Sequence, residues 1–173
     1  PEGGAGHSTV MLKGRVMAYK LLSGLEAYID IIDVQDASLV STFTSDPSTG
    51  EFMVVVPGGR EYAMHVRANG FLFHSENISV PENGAVAGDS NMEITLQPLE
   101  KGQTEVMRNL FFDKDRSDLN ATSLAELGQL LTLMRENPAI QLEIGGHTDS
   151  DGTAAHNEEL SSARAQAVMD HLV

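Results

Sequence analysis

Apolar and polar positions alternate with a period of two through the first part of the chain and recur at helical spacing in two later stretches. The molecule therefore divides into a β-rich part and a part that carries helices. β-Branched and aromatic runs occupy residues 9–19, 27–34, 39–44, 51–56, 61–68, 71–80 and 91–97. Ser45-Asp46-Pro47-Ser48-Thr49-Gly50, Pro57-Gly58-Gly59, Asn69-Gly70 and Pro81-Glu82-Asn83-Gly84 separate several of these runs, each offering a positive φ or a fixed one where the chain must reverse. Tyr62, Met64 and Val66 alternate with Ala63, His65 and Arg67, which puts the first three on a core face. Seven strands at this spacing predict an all-β sandwich over residues 1–97.

Pro98 to Thr104 breaks the alternation and reads as a linker (98–104) to a second module over 105–173. There the pattern predicts β-α-β-α. A strand over 105–112 is followed by the polar loop from Asp113 to Asn120, and a helix then opens on a Ser123/Glu126 capping box. Leu124, Leu127, Leu131 and Met134 line one face of that helix, which Asn137-Pro138 stops. A second strand covers 140–145, and another helix follows Gly152. This order favours parallel pairing through a right-handed crossover, with the loops after both strands at one sheet edge.

On the last helix Asn157, Ser161, Arg164 and Val168 share a face, flanked by Leu160 and Leu172. A guanidinium buried without a partner in such a stripe costs about 3–5 kcal/mol, so a carboxylate or a ligand anion is expected beside Arg164. Asp149 is the nearest candidate, and read by itself the pair is first of all a structural salt bridge. Asp113 reads equally as a loop cap, and Asn157 as a first-turn backbone acceptor.

Composition narrows the partners. The 25 acids against 11 bases give a formal charge of −14, spread over both halves, which repels nucleic acid and anionic lipid headgroups. Zero cysteines exclude disulfides and thiolate metal sites. Apolar runs stay short of the roughly 18 residues of a membrane helix, and no charged-then-apolar leader stands at Pro1. The chain reads as a piece whose targeting signals lie outside it. Residues 147–158 place Asp149, Asp151, Gly152 and Glu158 at calcium-loop positions, but His147 holds the first position and a strand, not a helix, leads in. No second histidine stands at ligand spacing from His147, so no metal or other cofactor is expected. Asp113, Asp115 and Asp118 with Asp149 suggest a glycan hydrolase only loosely, since nothing enforces a carboxylate separation or a raised pKa. The expectation is a binding protein and no enzyme.

Two resemblances extend this reading. Gly14-Arg15-Val16, Thr49-Gly50-Glu51-Phe52, Gly59-Arg60-Glu61-Tyr62 and Ala68-Asn69-Gly70-Phe71 resemble the carboxypeptidase regulatory-like family, transthyretin-like sandwiches without catalysis of their own. Asn109-Leu110-Phe111-Phe112-Asp113, Asn137-Pro138, Gly146-His147-Thr148-Asp149, Gly152, Asn157, Leu160-Ser161 and Arg164-Ala165 resemble the OmpA-like C-terminal family. These are periplasmic domains that anchor outer-membrane proteins and lipoproteins to peptidoglycan. The second resemblance implies non-covalent binding of the stem peptide at meso-diaminopimelate, with Asp149 and Arg164 as ligand residues and Phe112, Asp113, Thr148 and Asn157 lining the pocket. It further implies at least one more strand after the second helix, absent from this chain. The pairing of the two modules resembles periplasmic outer-membrane lipoproteins of Bacteroidetes-type bacteria, including type IX secretion components. That implies envelope or secretion-complex proteins as partners, with the sandwich's edge strands as docking edges.

Overall fold

The computed structural model describes residues 8–82, 91–146 and 153–173. The chain divides into two compact units, residues 1–108 and 109–173.

Among the described residues unit 1 contains the seven expected strands, β1 (Thr9–Ala18), β2 (Tyr28–Asp33), β3 (Leu39–Thr44), β4 (Glu51–Pro57), β5 (Arg60–Arg67), β6 (His74–Val80) and β7 (Asn91–Leu96). They form two sheets, a three-stranded one in the order β4-β1-β7 and a four-stranded one in the order β3-β2-β5-β6. β1 runs antiparallel to β4 and parallel to β7, and the second sheet is antiparallel throughout.

Strand alternation sends Leu12, Val16, Val54, Val56 and Leu96 from the first sheet into one core with Ile29, Ile31, Tyr62, Met64 and Val66 from the second. Each such side chain, fully buried, contributes about 1.5–3 kcal/mol. Tyr62 keeps its hydroxyl satisfied by donating to the Pro57 carbonyl at 2.8 Å. On β5 the opposite face is covered as well, since Ala63 and His65 are buried. Alternation identified the core residues there but did not mark the other face as solvent.

Gly50 closes the β3–β4 turn at φ 75°, and a Cβ at this position would stand 2.0 Å from the Val16 carbonyl oxygen. The turn therefore excludes every side chain on two separate grounds. Residues after β7 stay with unit 1: Leu72 N–H donates to the Gln97 carbonyl, Leu99 N–H donates to the Gly70 carbonyl, and Glu105 reaches His74 at 3.0 Å.

Unit 2 contains α1 (Ala121–Glu136) and α2 (Ala154–Leu172), which pack against each other. Three expectations are corrected. Among the described residues neither 105–112 nor 140–145 is a strand, so of the β-α-β-α order the two helices remain. Alternation makes a segment competent for a ladder, but a strand exists only where a neighbour supplies the bonds. Val106 and Leu142 remain 59% and 38% exposed, with their apolar faces uncovered.

The cap of α1 is Asn120, not Ser123. The Asn120 side chain accepts from Ser123 N–H at 2.8 Å, so the helix begins most of a turn earlier than the capping box suggested. Lastly, the buried face of α1 runs through Ser123, Glu126, Leu127, Leu130 and Leu133, while Leu124 is 40% exposed. Leucines at 124, 127, 130, 131 and 133 surround most of the helix, so periodicity alone left its rotation open.

Candidate functional site

Thr153 caps α2, its side chain accepting from His156 N–H at 3.3 Å. This phase puts Val168 in the core at 2% exposure, and Asn157, Ser161 and Arg164 lie half-buried on the same face as expected. Arg164 is thereby presented to the loop that precedes α1.

The loop is fixed from the other side. Ser123 Oγ donates to the Phe111 carbonyl at 2.9 Å and accepts from Phe111 N–H at 2.8 Å. One hydroxyl thus holds both backbone groups of the residue before Phe112. Further along, His156 Nε2 lies 3.0 Å from Asp115 Oδ1, tying the first turn of α2 to a residue that adopts the left-handed region at φ 55°. Arg116 and Asp118 form an exposed ion pair at 2.7 Å, and the hydrogen bond to Asp118 raises the already high pKa of Arg116.

Against this loop the Arg164 guanidinium stands 5.0 Å from the centre of the Phe112 ring. Its Nε donates to the Arg116 carbonyl at 3.0 Å and its Nη2 to the Asp113 carbonyl at 3.2 Å. The partner expected for Arg164 was a carboxylate or a ligand anion. Among the described residues no carboxylate lies within ion-pair distance of it, and two backbone carbonyls with an aromatic face take that place. The half-exposed setting makes this sufficient, because solvent still reaches the cation. Two of arginine's five N–H donors are used in this way. Among the described residues its other donors are left for a planar anion.

Phe112, Asp113 and Arg164 are therefore brought together, Asp113 through its backbone carbonyl while its side chain is exposed. Asn157 shares the face of Arg164 and has its own bonds. Asp149 and Thr148, with His147, Asp151 and Gly152 of the calcium pattern, lie outside the described residues. The described backbone leading to them ends at Gly146, where a Cβ would stand 2.3 Å from the Ser161 carbonyl oxygen of α2. Only glycine lets the chain pass the helix so closely, and it does so beside the face that carries Arg164.

Sequence reasoning missed Ser123 and Arg116 as parts of this site. Arg116 acts through its carbonyl, which no residue pattern signals, whereas the sequence pattern around Ser123 signals a helix cap and not a loop contact.

Unit 2 thus sets a helix-borne arginine over a loop aromatic, with a glycine-tight crossing beside it. Its family follows from comparison with known proteins: residues 111–173 match the OmpA family and are an OmpA-family domain. Outer membrane porin F of Pseudomonas aeruginosa is 34% identical over 103 residues, covering 57% of this chain and 29% of that protein. Outer membrane protein Omp38 of Acinetobacter baumannii is 35% identical over 81 residues, covering 46% of this chain and 23% of that protein. The chain thus spans less than a third of the length of these relatives. A crystal structure of S.CueP aligns at 16% identity with a TM-score of 0.36, over 52% of this chain and 63% of the other, too distant to define the fold. No helix among the described residues is long and apolar enough to cross a membrane.

Proposed function

We propose that unit 2 binds peptidoglycan non-covalently at the meso-diaminopimelate of the stem peptide and anchors an outer-membrane-associated protein or complex to the cell wall from the periplasmic side. The pose of Arg164 is the observation that supports this most. A guanidinium stacked on Phe112 and bonded to two carbonyls is oriented before a ligand arrives, and orientation is what a fork-shaped contact to a carboxylate requires.

Diaminopimelate ends in an ammonium and a carboxylate on one carbon. In this reading Arg164 takes the carboxylate and Asp149 the ammonium, with Asn157, Thr148, Phe112 and Asp113 lining the pocket. A lysine-type stem presents the ammonium alone and leaves the donors of Arg164 unmet, so such stems are rejected. The unit binds and does not catalyse; incubation with muropeptides followed by mass spectrometry would expose any hydrolysis. For unit 1 the proposal is a carboxypeptidase regulatory-like sandwich that positions the anchor, in an architecture of the kind found in type IX secretion lipoproteins.

The competing reading is a structural module that takes no ligand, in which the two carbonyl bonds are the whole purpose of Arg164. Calorimetric titration of the chain with a meso-diaminopimelate muropeptide separates the two. Saturable binding that is lost in Asp149→Ala and Arg164→Ala, and absent for a lysine-type stem, establishes the anchor. Absence of binding, with Arg164→Ala less stable than the parent, favours the structural module.

A further inference from the structure

β3 departs from the way sheets guard their edges. It is the outer strand of the four-stranded sheet and pairs only with β2 among the described residues. Its sequence, Leu39-Val40-Ser41-Thr42-Phe43-Thr44, contains no ionisable side chain. Every other strand has at least one, among them Lys13, Asp30, Glu51, Arg60, Glu76 and Glu93. Sheets ordinarily put charge or proline on the edge to prevent further pairing, and here the charges sit on the other six strands while this edge is bare. Leu39 and Val40 are 59% and 37% exposed on it.

Register shows which backbone groups are on offer. Ser45 N–H donates to the Ala27 carbonyl, and Phe43 and Ser41 face Ile29 and Ile31 in the same phase of the ladder. In an antiparallel pair the intervening residues turn their N–H and C=O the other way, so Thr42 and Thr44 present theirs outward.

Acids bracket the strand. Asp36 precedes it in the β2–β3 turn, and Asp46 follows it in the turn to β4. Each holds its turn through Oδ1, Asp36 accepting from Ser38 N–H and Asp46 from the N–H groups of Ser48 and Thr49. In Asp46 all four of these turn bonds, from the N–H and hydroxyl groups of Ser48 and Thr49, go to Oδ1. A second copy of this chain paired antiparallel along β3 would set Asp36 against Asp46 at both ends, between chains of formal charge −14. The charges select a different occupant.

We propose that the β3 edge is a docking site for an extended segment of a partner protein, an uncharged β-prone stretch the length of β3 with lysine or arginine at each end. Thr42 and Thr44 would supply the backbone bonds, Leu39 and Val40 the apolar contact, and Asp36 and Asp46 the charge pairing at the two ends. The site belongs to unit 1 and stands independently of peptidoglycan binding by unit 2.

The probe is a fluorescein-labelled synthetic peptide of alternating threonine and valine with two lysines at each end, titrated by anisotropy into the full chain. A second peptide with glutamates in place of the lysines serves as control. The expected result is saturable binding of the lysine peptide, weaker by about tenfold or more for the glutamate peptide. Thr42→Pro removes one outward N–H without touching the β2 ladder and should abolish binding at unchanged circular dichroism. Should Thr42→Pro fail to fold, Val40→Lys tests the same edge by placing a charge on it. Asp36→Asn with Asp46→Asn should weaken binding and flatten its salt dependence. No saturation by about 1 mM peptide, or equal binding to the edge variants, overturns the proposal. So does a dimer in sedimentation that Thr42→Pro abolishes, since the edge would then serve a second copy.

Discussion

Arg164 and Phe112, fifty-two positions apart in sequence, stand 5.0 Å apart from guanidinium to ring centre, and no acid among the described residues pairs with that cation. The ring contributes about 0.5–1 kcal/mol at an exposed site, equivalent to roughly two- to fivefold in affinity if the pose matters for binding. Phe112→Leu is therefore expected to weaken muropeptide binding by that factor in calorimetry, whereas Arg164→Lys should lose much more because an ammonium cannot form the fork. Equal affinity of Phe112→Leu and the parent would remove the ring from the account of the site.

The cap of α1 gives a stability test separate from ligand. Asn120→Ala deletes the acceptor of the Ser123 N–H and should cost about 1 kcal/mol in denaturant unfolding of unit 2, with Asn120→Asp close to the parent. A larger loss for Ser123→Ala than for Asn120→Ala is expected, because the serine hydroxyl holds both backbone groups of Phe111.

His74 should make the stability of unit 1 depend on pH. Its hydrogen bond to Glu105 raises its pKa above the usual 6.5, with Glu76 adding to the effect at 3.2 Å while burial opposes it. The sign follows from linkage: the contribution is complete below the unfolded value of 6.5 and disappears as pH rises through the higher folded value. Melting temperatures measured across this interval should fall with rising pH in the parent and fall less in His74→Gln. A His74 titration by NMR that does not move downward in Glu105→Gln would show that the carboxylate is not responsible.

Gly146→Ala tests the tight crossing of α2. The added carbon would meet the Ser161 carbonyl oxygen at 2.3 Å, and overpacking of this kind costs about 1–3 kcal/mol. The expected outcome is a lower unfolding midpoint, together with NMR shift changes around Ser161 and Arg164. A spectrum unchanged at both residues would mean that the backbone moves aside freely.

Much of unit 1 was legible because its signals are local. Alternation found all seven strands, and Gly50, Gly59 and Gly70 adopt the positive φ that their turns suggested. The pairing order was not legible, since nothing in β7 states that it runs parallel beside β1. In unit 2 the two helices and the arginine face of α2 could be read from spacing, but the cap of α1 could not, since Asn120 and not Ser123 accepts there. Its strands could not, because residues 140–145 carry an alternation that requires a partner to become a strand. The loop bonds of the site escaped for a related reason: the groups that hold Arg164 are carbonyls, and every residue has one.

Those carbonyls have a further consequence. Neither a peptide oxygen nor a phenyl ring gains or loses a proton in the range where proteins stay folded, and a guanidinium keeps its charge there as well. The three groups that hold Arg164 are thus silent to acidity, unlike a carboxylate partner, which would release its arginine on protonation. Whatever pH dependence appears when this cation meets an anion must therefore originate in the anion or in another residue that contacts it, and not in the groups that hold Arg164.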